Sequence, residues 1–300
     1  MYGLRNKIRN FIAAHEVGAL RIWNAIIVFI SVTFLNTSMG YQTALDHWYI
    51  ALAIALVCAF LPLNAGSVVI LVIALIHLFA LSVQAAIAGV VIVLFSALIC
   101  GYFHAHNFYN TIAVPTSFAL RTPNLVALGS GLFRGMNEIA TVLCGGVITF
   151  YLRVIRINAS TILDQTSSVS VVALIKQQML TEPLFYFYMA TLATVFLICY
   201  FMRQINIPYS WMLASGTAVL VGFLIMLIGY TVTGSQGYMP WLVGGSLITF
   251  LVGMFFDFFF RDLDFSRLEK LQFEDDDYYY YVTAVPKLKL TKEEKRIKRI

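Results

Sequence analysis

The residues of this 300-residue chain that could do chemistry are few, and they sit beside breaks in long apolar runs. Arg121-Thr122-Pro123-Asn124 is a polar, proline-bearing turn between two apolar pieces, one containing Pro115 and the other Gly129 and Gly131, and neither piece can cross a membrane alone. Arg134 precedes Glu138 by four residues, the spacing that lets side chains meet on one helix face, so the two are expected side by side at the inner mouth of a bundle. His77 stands in the middle of an apolar run, with Gln84 about two turns on. Ionisable groups inside such runs are costly, so they face the protein interior or a wet path. His77, Arg121, Pro123, Arg134 and Glu138 therefore form the candidate transport site or gate. Competing roles are a structural hydrogen bond for His77 and, for Glu138, a helix start favoured by the dipole.

Other chemistries find no support. There is no phosphate-binding glycine loop, no nucleophile elbow and no paired histidine with glutamate at helical spacing, so no catalytic residue is expected. His104 and His106 lie two apart, on different faces of a helix, and a metal would need ligands from elsewhere. Cys58, Cys100, Cys144 and Cys199 each fall in a different apolar run and read as small hydrophobes between helices. No metal, cofactor or nucleic acid is expected.

The elements that must position these residues are membrane helices. Hydrophobic residues make up 60% of the chain and charged residues 12%, with a mean hydropathy of +0.82, more apolar surface than one soluble core buries. Runs such as Ala85 to Phe103 and Leu184 to Met202 are apolar on every face, which excludes the alternation of a membrane β-barrel. The expected fold is an all-α polytopic helical membrane protein with about eight spanning helices plus a re-entrant hairpin. The spans read as Ile22–Met39, Trp48–Leu61, Ser67–Leu81, Ala85–Phe103, Ile139–Ile155, Leu184–Met202, Tyr209–Tyr230 and Trp241–Phe260. The second and third are short and joined by Pro62-Leu63-Asn64-Ala65-Gly66, which suggests a tight hairpin that does not fully traverse. Two half-length segments around Arg121–Asn124 suggest a re-entrant hairpin; a loop lying on the membrane surface is the alternative.

Residues 1–21 form a basic N-terminus, 22–260 the bundle and 261–300 a charged tail. Basic residues at both ends place both termini in the cytoplasm. Arg153, Arg156 and Lys176 then fall on the outer side, against the rule. Between Pro183 and the fifth span lies the one sizeable outer loop, with a glycosylation-type triplet at Asn158-Ala159-Ser160 and an amphipathic helix at Val171–Leu180. Small residues recur every fourth position at Ala214, Ala218 and Gly222 and at Gly245, Thr249 and Gly253, which allows close helix packing.

The tail carries 10 of the 20 basic and 9 of the 15 acidic residues. Its basic end, Lys287 to Ile300, suits anionic headgroups, and its acidic cluster Glu274–Asp277 is repelled by them. Tyr278 to Val285 is rich in strand-favouring residues and stops at Pro286. Asp277, Tyr278, Tyr279, Tyr280, Tyr281 and Val282 are therefore the candidate docking segment for a cytoplasmic protein, by addition to the edge of its sheet. A disordered solubilising tail is the alternative.

The string Leu271-Gln272-Phe273-Glu274-Asp275-Asp276-Asp277-Tyr278-Tyr279-Tyr280-Tyr281-Val282, followed by Ala284-Val285-Pro286-Lys287 and Glu294-Lys295-Arg296, resembles the tail of an uncharacterised multi-pass membrane protein family of anaerobic Gram-positive bacteria. The Pro115 to Tyr151 region is similar to that family's pattern of Pro-containing half-helix, polar turn, Gly-rich half-helix and glycine-bearing span. The resemblance implies a bacterial plasma membrane and no particular activity. Two functions are therefore expected to compete: a permease-like protein gated near 111–138, and a non-transporting scaffold whose tail docks a partner. Partners are the lipid bilayer, that cytoplasmic protein and a second copy of the chain.

Overall fold

Apolar runs with no charge to interrupt them become helices, because only a helix satisfies its own backbone where water is absent. The computed structural model describes residues 2–163, 170–205, 209–260, 269–274 and 278–284. The chain opens with α1 (Tyr2–Ala14) and α2 (Glu16–Met39), the latter stopped by Gly40 in the left-handed conformation at φ 53°. Next come α3 (Trp48–Cys58), α4 (Leu63–Leu81) and α5 (Val83–Tyr102), followed by two half-helices, α6 (Asn110–Ala119) and α7 (Leu125–Phe133). After a 3-10 turn at Met136–Glu138 run α8 (Ile139–Ile157), the short α9 (Ala159–Leu163) and α10 (Val171–Ile175), then α11 (Pro183–Met202), α12 (Ser210–Val232) and α13 (Met239–Phe260).

Seven helical segments are long and apolar enough to cross a membrane. The expected pair of short second and third spans proves to be one short helix and one long: α4 has 19 residues and α3 has 11. At 1.5 Å per residue, α3 is about 16 Å long. It nonetheless runs back along α2, because Asn36 Nδ2 donates to Leu45 O at one end (2.6 Å) and Asn24 Nδ2 to Leu61 O at the other (3.1 Å). Both ends of the bundle emerge at the same face, since the Arg5 guanidinium in α1 lies 5.6 Å over the Phe258 ring near the end of α13.

The half-helices are buried inside the bundle, not laid on its surface. Thr111, Ala113 and Val114 of α6 and Ala127, Leu128 and Leu132 of α7 are buried, and Ser130 Oγ donates to Asn110 Oδ1 (3.2 Å), tying the feet of the hairpin together. Behind it stands α8, the most enclosed span: 72% of an 18-residue stretch is buried, against 17% for α2. Two glycines let α8 lie between its neighbours. A Cβ on Gly145 would sit 2.7 Å from the Asn110 carbonyl oxygen of α6, and one on Gly146 2.7 Å from Met189 Sδ of α11. The expected small-residue ladders are buried too: Gly222 faces Val195 of α11, and Gly253 faces Ser215 of α12.

Because the obstacle at Gly145 is backbone, Gly145→Ala should destabilise the protein by about 1–3 kcal/mol through overpacking. Gly129→Ala, whose Cβ would meet only Phe256 at an ordinary 3.6 Å, serves as the control. Thermal unfolding in detergent checks the pair; equal midpoints would show that α6 and α8 do not meet there.

Two strands, β1 (Glu269–Glu274) and β2 (Tyr279–Ala284), pair antiparallel with Glu269 opposite Ala284 and Glu274 opposite Tyr279. Tyr279–Val282 is extended as expected, but its partner is the chain's own strand, which occupies one edge of β2. Val171–Leu180 is helical as expected, turning π-helical from Lys176. Asp275–Asp277, Arg261 and the basic end 287–300 lie outside the described residues.

Candidate functional site

The hairpin tip is built by a helix that ends against its own grain. The last turn of α6 closes with Thr122 N–H donating to Ser117 O (2.9 Å) and Arg121 N–H to Phe118 O (3.1 Å), a capping pattern in which glycine ordinarily holds the left-handed position. Here Arg121 holds it, at φ 63°. A side chain at that φ costs about 1–2 kcal/mol, so the arginine is kept at the expense of local stability. Its guanidinium lies 5.0 Å over the Trp241 ring, and its carbonyl abuts Gly245 so closely that no Cβ fits there. Gly245 is six residues into α13, so the tip reaches to about 9 Å below the start of that helix.

Above the tip lies a cavity of about 460 Å³. Its cations are Arg121 and, from the last turns of α8, Arg153 and Arg156, and Pro123 also lines it. No Asp or Glu lines it, and among the described residues none of these three arginines has a carboxylate partner. Arg153 lies 5.4 Å over the Phe150 ring. Arg156 is close enough to Tyr41, in the loop after α2, to oppose the upward shift that burial imposes on that phenol. Tyr230 is within electrostatic reach of Arg153, Tyr238 and Arg121, and Tyr188 of Tyr230. Tyr188 is fully buried, lines the cavity, and its hydroxyl has no hydrogen-bond partner. Arginines without acids suit an oxyanion.

Of the residues expected to form the site, Arg121 and Pro123 line the cavity and the other three do not. His77 is fully buried elsewhere. Its Nδ1 accepts from Gln42 N–H (3.2 Å), so the proton is on Nε2, which donates to Asn36 Oδ1 (3.0 Å). It fastens α4 to the end of α2, the structural role weighed above.

Arg134 and Glu138 form no ion pair. Arg134 ends α7 in extended backbone (ψ 171°), outside any helix, so the four-residue spacing does not place the two on one face. Arg134 is exposed, and its carbonyl accepts from Arg203 Nη2 (2.6 Å). Glu138 is 4% exposed; its carboxylate accepts from His106 N–H (2.9 Å), Asn107 N–H (3.1 Å) and Thr141 Oγ1 (3.1 Å). It anchors the loop that leads into the hairpin, at the face opposite the cavity. Among the described residues, no group of three His, Cys, Asp or Glu side chains could hold a metal. In the tail, Tyr278–Val282 is exposed and Asp277 lies outside the described residues.

Arg153, Arg156 and Tyr188 were not anticipated. The signal that could have found the arginines was their violation of the charge rule for loops.

No protein-family model, curated protein or solved structure matches the chain. The fold and its interior are those of a polytopic helical membrane protein with a re-entrant hairpin beneath a cationic cavity.

Proposed function

We propose that the chain is a permease-like protein of a bacterial plasma membrane, with both termini cytoplasmic, that takes an anionic substrate into the cavity over the hairpin tip. One observation carries this reading: the cavity gathers Arg121, Arg153 and Arg156 with no carboxylate among the described residues to neutralise them. Charge within a span is costly and faces the interior or a wet path; here Arg153 is half-buried, while Arg121 and Arg156 are exposed and open to an incoming anion. Purified protein should be stabilised against heat by oxyanions such as phosphate or pyrophosphate and not by organic cations. Arg153→Gln should remove that stabilisation. Stabilisation that survives the substitution would overturn the reading.

The orientation has its own test. All four cysteines are buried, so an introduced one reports cleanly. Exposed Ser160 lies just beyond Arg156, and exposed Asn137 at the other face. In intact cells, Ser160→Cys should react with an impermeant maleimide and Asn137→Cys should not. The reverse pattern would invert the protein in the membrane.

The scaffold reading draws on the exposed tyrosines of β2 and that strand's second edge. Deleting 269–300 should leave anion binding intact and, if the tail docks a partner, change the set of co-purifying proteins.

A further inference from the structure

The cavity is walled on one side by Phe34 and Leu35 of α2 and on the other by Trp241 and Leu242 of α13. These two helices share no extended packing among the described residues. What stands between them is the hairpin tip, and the tip stops short. Leu120 is 43% exposed, Trp241 is 55% exposed, and the Arg121 side chain is exposed although it sits well inside the span. The interior is therefore reachable from the side. The far wall belongs to α8, which stands behind the hairpin and supplies Arg153 and Arg156. The walls of the slot are apolar apart from Arg121, which stands at its inner edge against Trp241, and half-buried Arg153 lies across the cavity from them. A ligand matching that arrangement has an anionic head and a hydrocarbon chain.

The head has chemistry of its own to satisfy. Arginine forks match the oxygens of carboxylate and phosphate. Three arginines with no acid beside them among the described residues call for more than one negative charge, which a phosphate monoester carries and a fatty acid does not. We infer that the ligand is a single membrane amphiphile class, a lipid phosphate, admitted sideways from the bilayer between α2 and α13 with its head toward Arg121 and Arg153 and its chain left in the slot. This rests on the anion reading above and adds the source of the anion.

The test uses the full chain in nanodiscs of phosphatidylcholine. Of the four tryptophans, Trp23, Trp48 and Trp211 are replaced by Phe, leaving Trp241 at the slot as reporter. Titration with a bromoalkyl phosphate should quench Trp241 saturably. Combining Arg121→Gln with Arg153→Gln should weaken that binding at least tenfold, and the matching bromoalkyl alcohol should quench only in proportion to its concentration. Saturable quenching by the alcohol, or undiminished quenching in the arginine variant, overturns the inference. A parallel thermal-unfolding series on the unsubstituted protein, with decyl phosphate and inorganic phosphate, covers the case in which the triple Phe background does not fold. Decyl phosphate should stabilise at a concentration at least tenfold lower than inorganic phosphate. Equal potency would make the site one for free anions, so the lipid assignment fails while the anion reading survives; no effect of either removes both.

Discussion

Arg121→Gly combined with Arg153→Gln is expected to weaken oxyanion binding at least a hundredfold while moving the unfolding temperature little. Each arginine lost removes charge-assisted hydrogen bonds worth about 1.5–3 kcal/mol, roughly tenfold to a hundredfold in affinity. On the stability side the terms offset. Glycine at position 121 relieves the left-handed φ of 63°, about 1–2 kcal/mol, and forfeits the stack on Trp241, about 0.5–2 kcal/mol. Calorimetric titration with pyrophosphate, beside a thermal melt of the same preparation, separates the two effects. A large fall in the melt would reassign Arg121 to holding the tip in place.

Glu138→Ala is expected to do the opposite: lower stability by about 3 kcal/mol and leave anion affinity, per folded molecule, unchanged. The carboxylate is buried and accepts two backbone N–H groups, from exposed His106 and half-buried Asn107, that lose their charged acceptor when it is removed. Leaving each unsatisfied costs about 1–3 kcal/mol. Glu138→Gln should fall between, since its carbonyl oxygen still accepts while its NH₂ faces donors. Abundance in the membrane and binding per molecule are both read. A variant that keeps its abundance and loses binding would restore Glu138 to the gate.

The two results would divide the candidate residues along a line that periodicity alone could not draw. The hairpin was legible because Pro115, Arg121–Asn124 and the Gly129/Gly131 pair interrupt apolar runs at half the length of a membrane, and only a folded-back segment uses such pieces. The spans were legible from their length, and α3 alone came out too short. Pairing of Arg134 with Glu138 assumed a continuous helix; Arg134 lies in extended backbone and a 3-10 turn follows, which breaks that register. Arg153 and Arg156 counted as charges on the wrong side of a topology, because a sequence rule counts charge near the ends of spans and does not show which of those residues line a cavity. Tyr188 was invisible for another reason. An aromatic residue in an apolar run looks like every other one until its hydroxyl is found with nothing to bond. The strand-forming tail segment was readable from its tyrosines, whereas its pairing with residues 269–274 depends on a turn that composition does not specify.

The two half-helices enter from one face and meet at the tip, so the carboxyl end of α6 and the amino end of α7 lie side by side at depth. Their macrodipoles point in opposite directions, about half a negative charge beside half a positive one, and largely cancel. The hairpin's own backbone therefore contributes little field to the cavity above. The charged side chains that line it are three guanidinium groups, each removable by a single substitution, so its charge can be neutralised or reversed without rebuilding the hairpin.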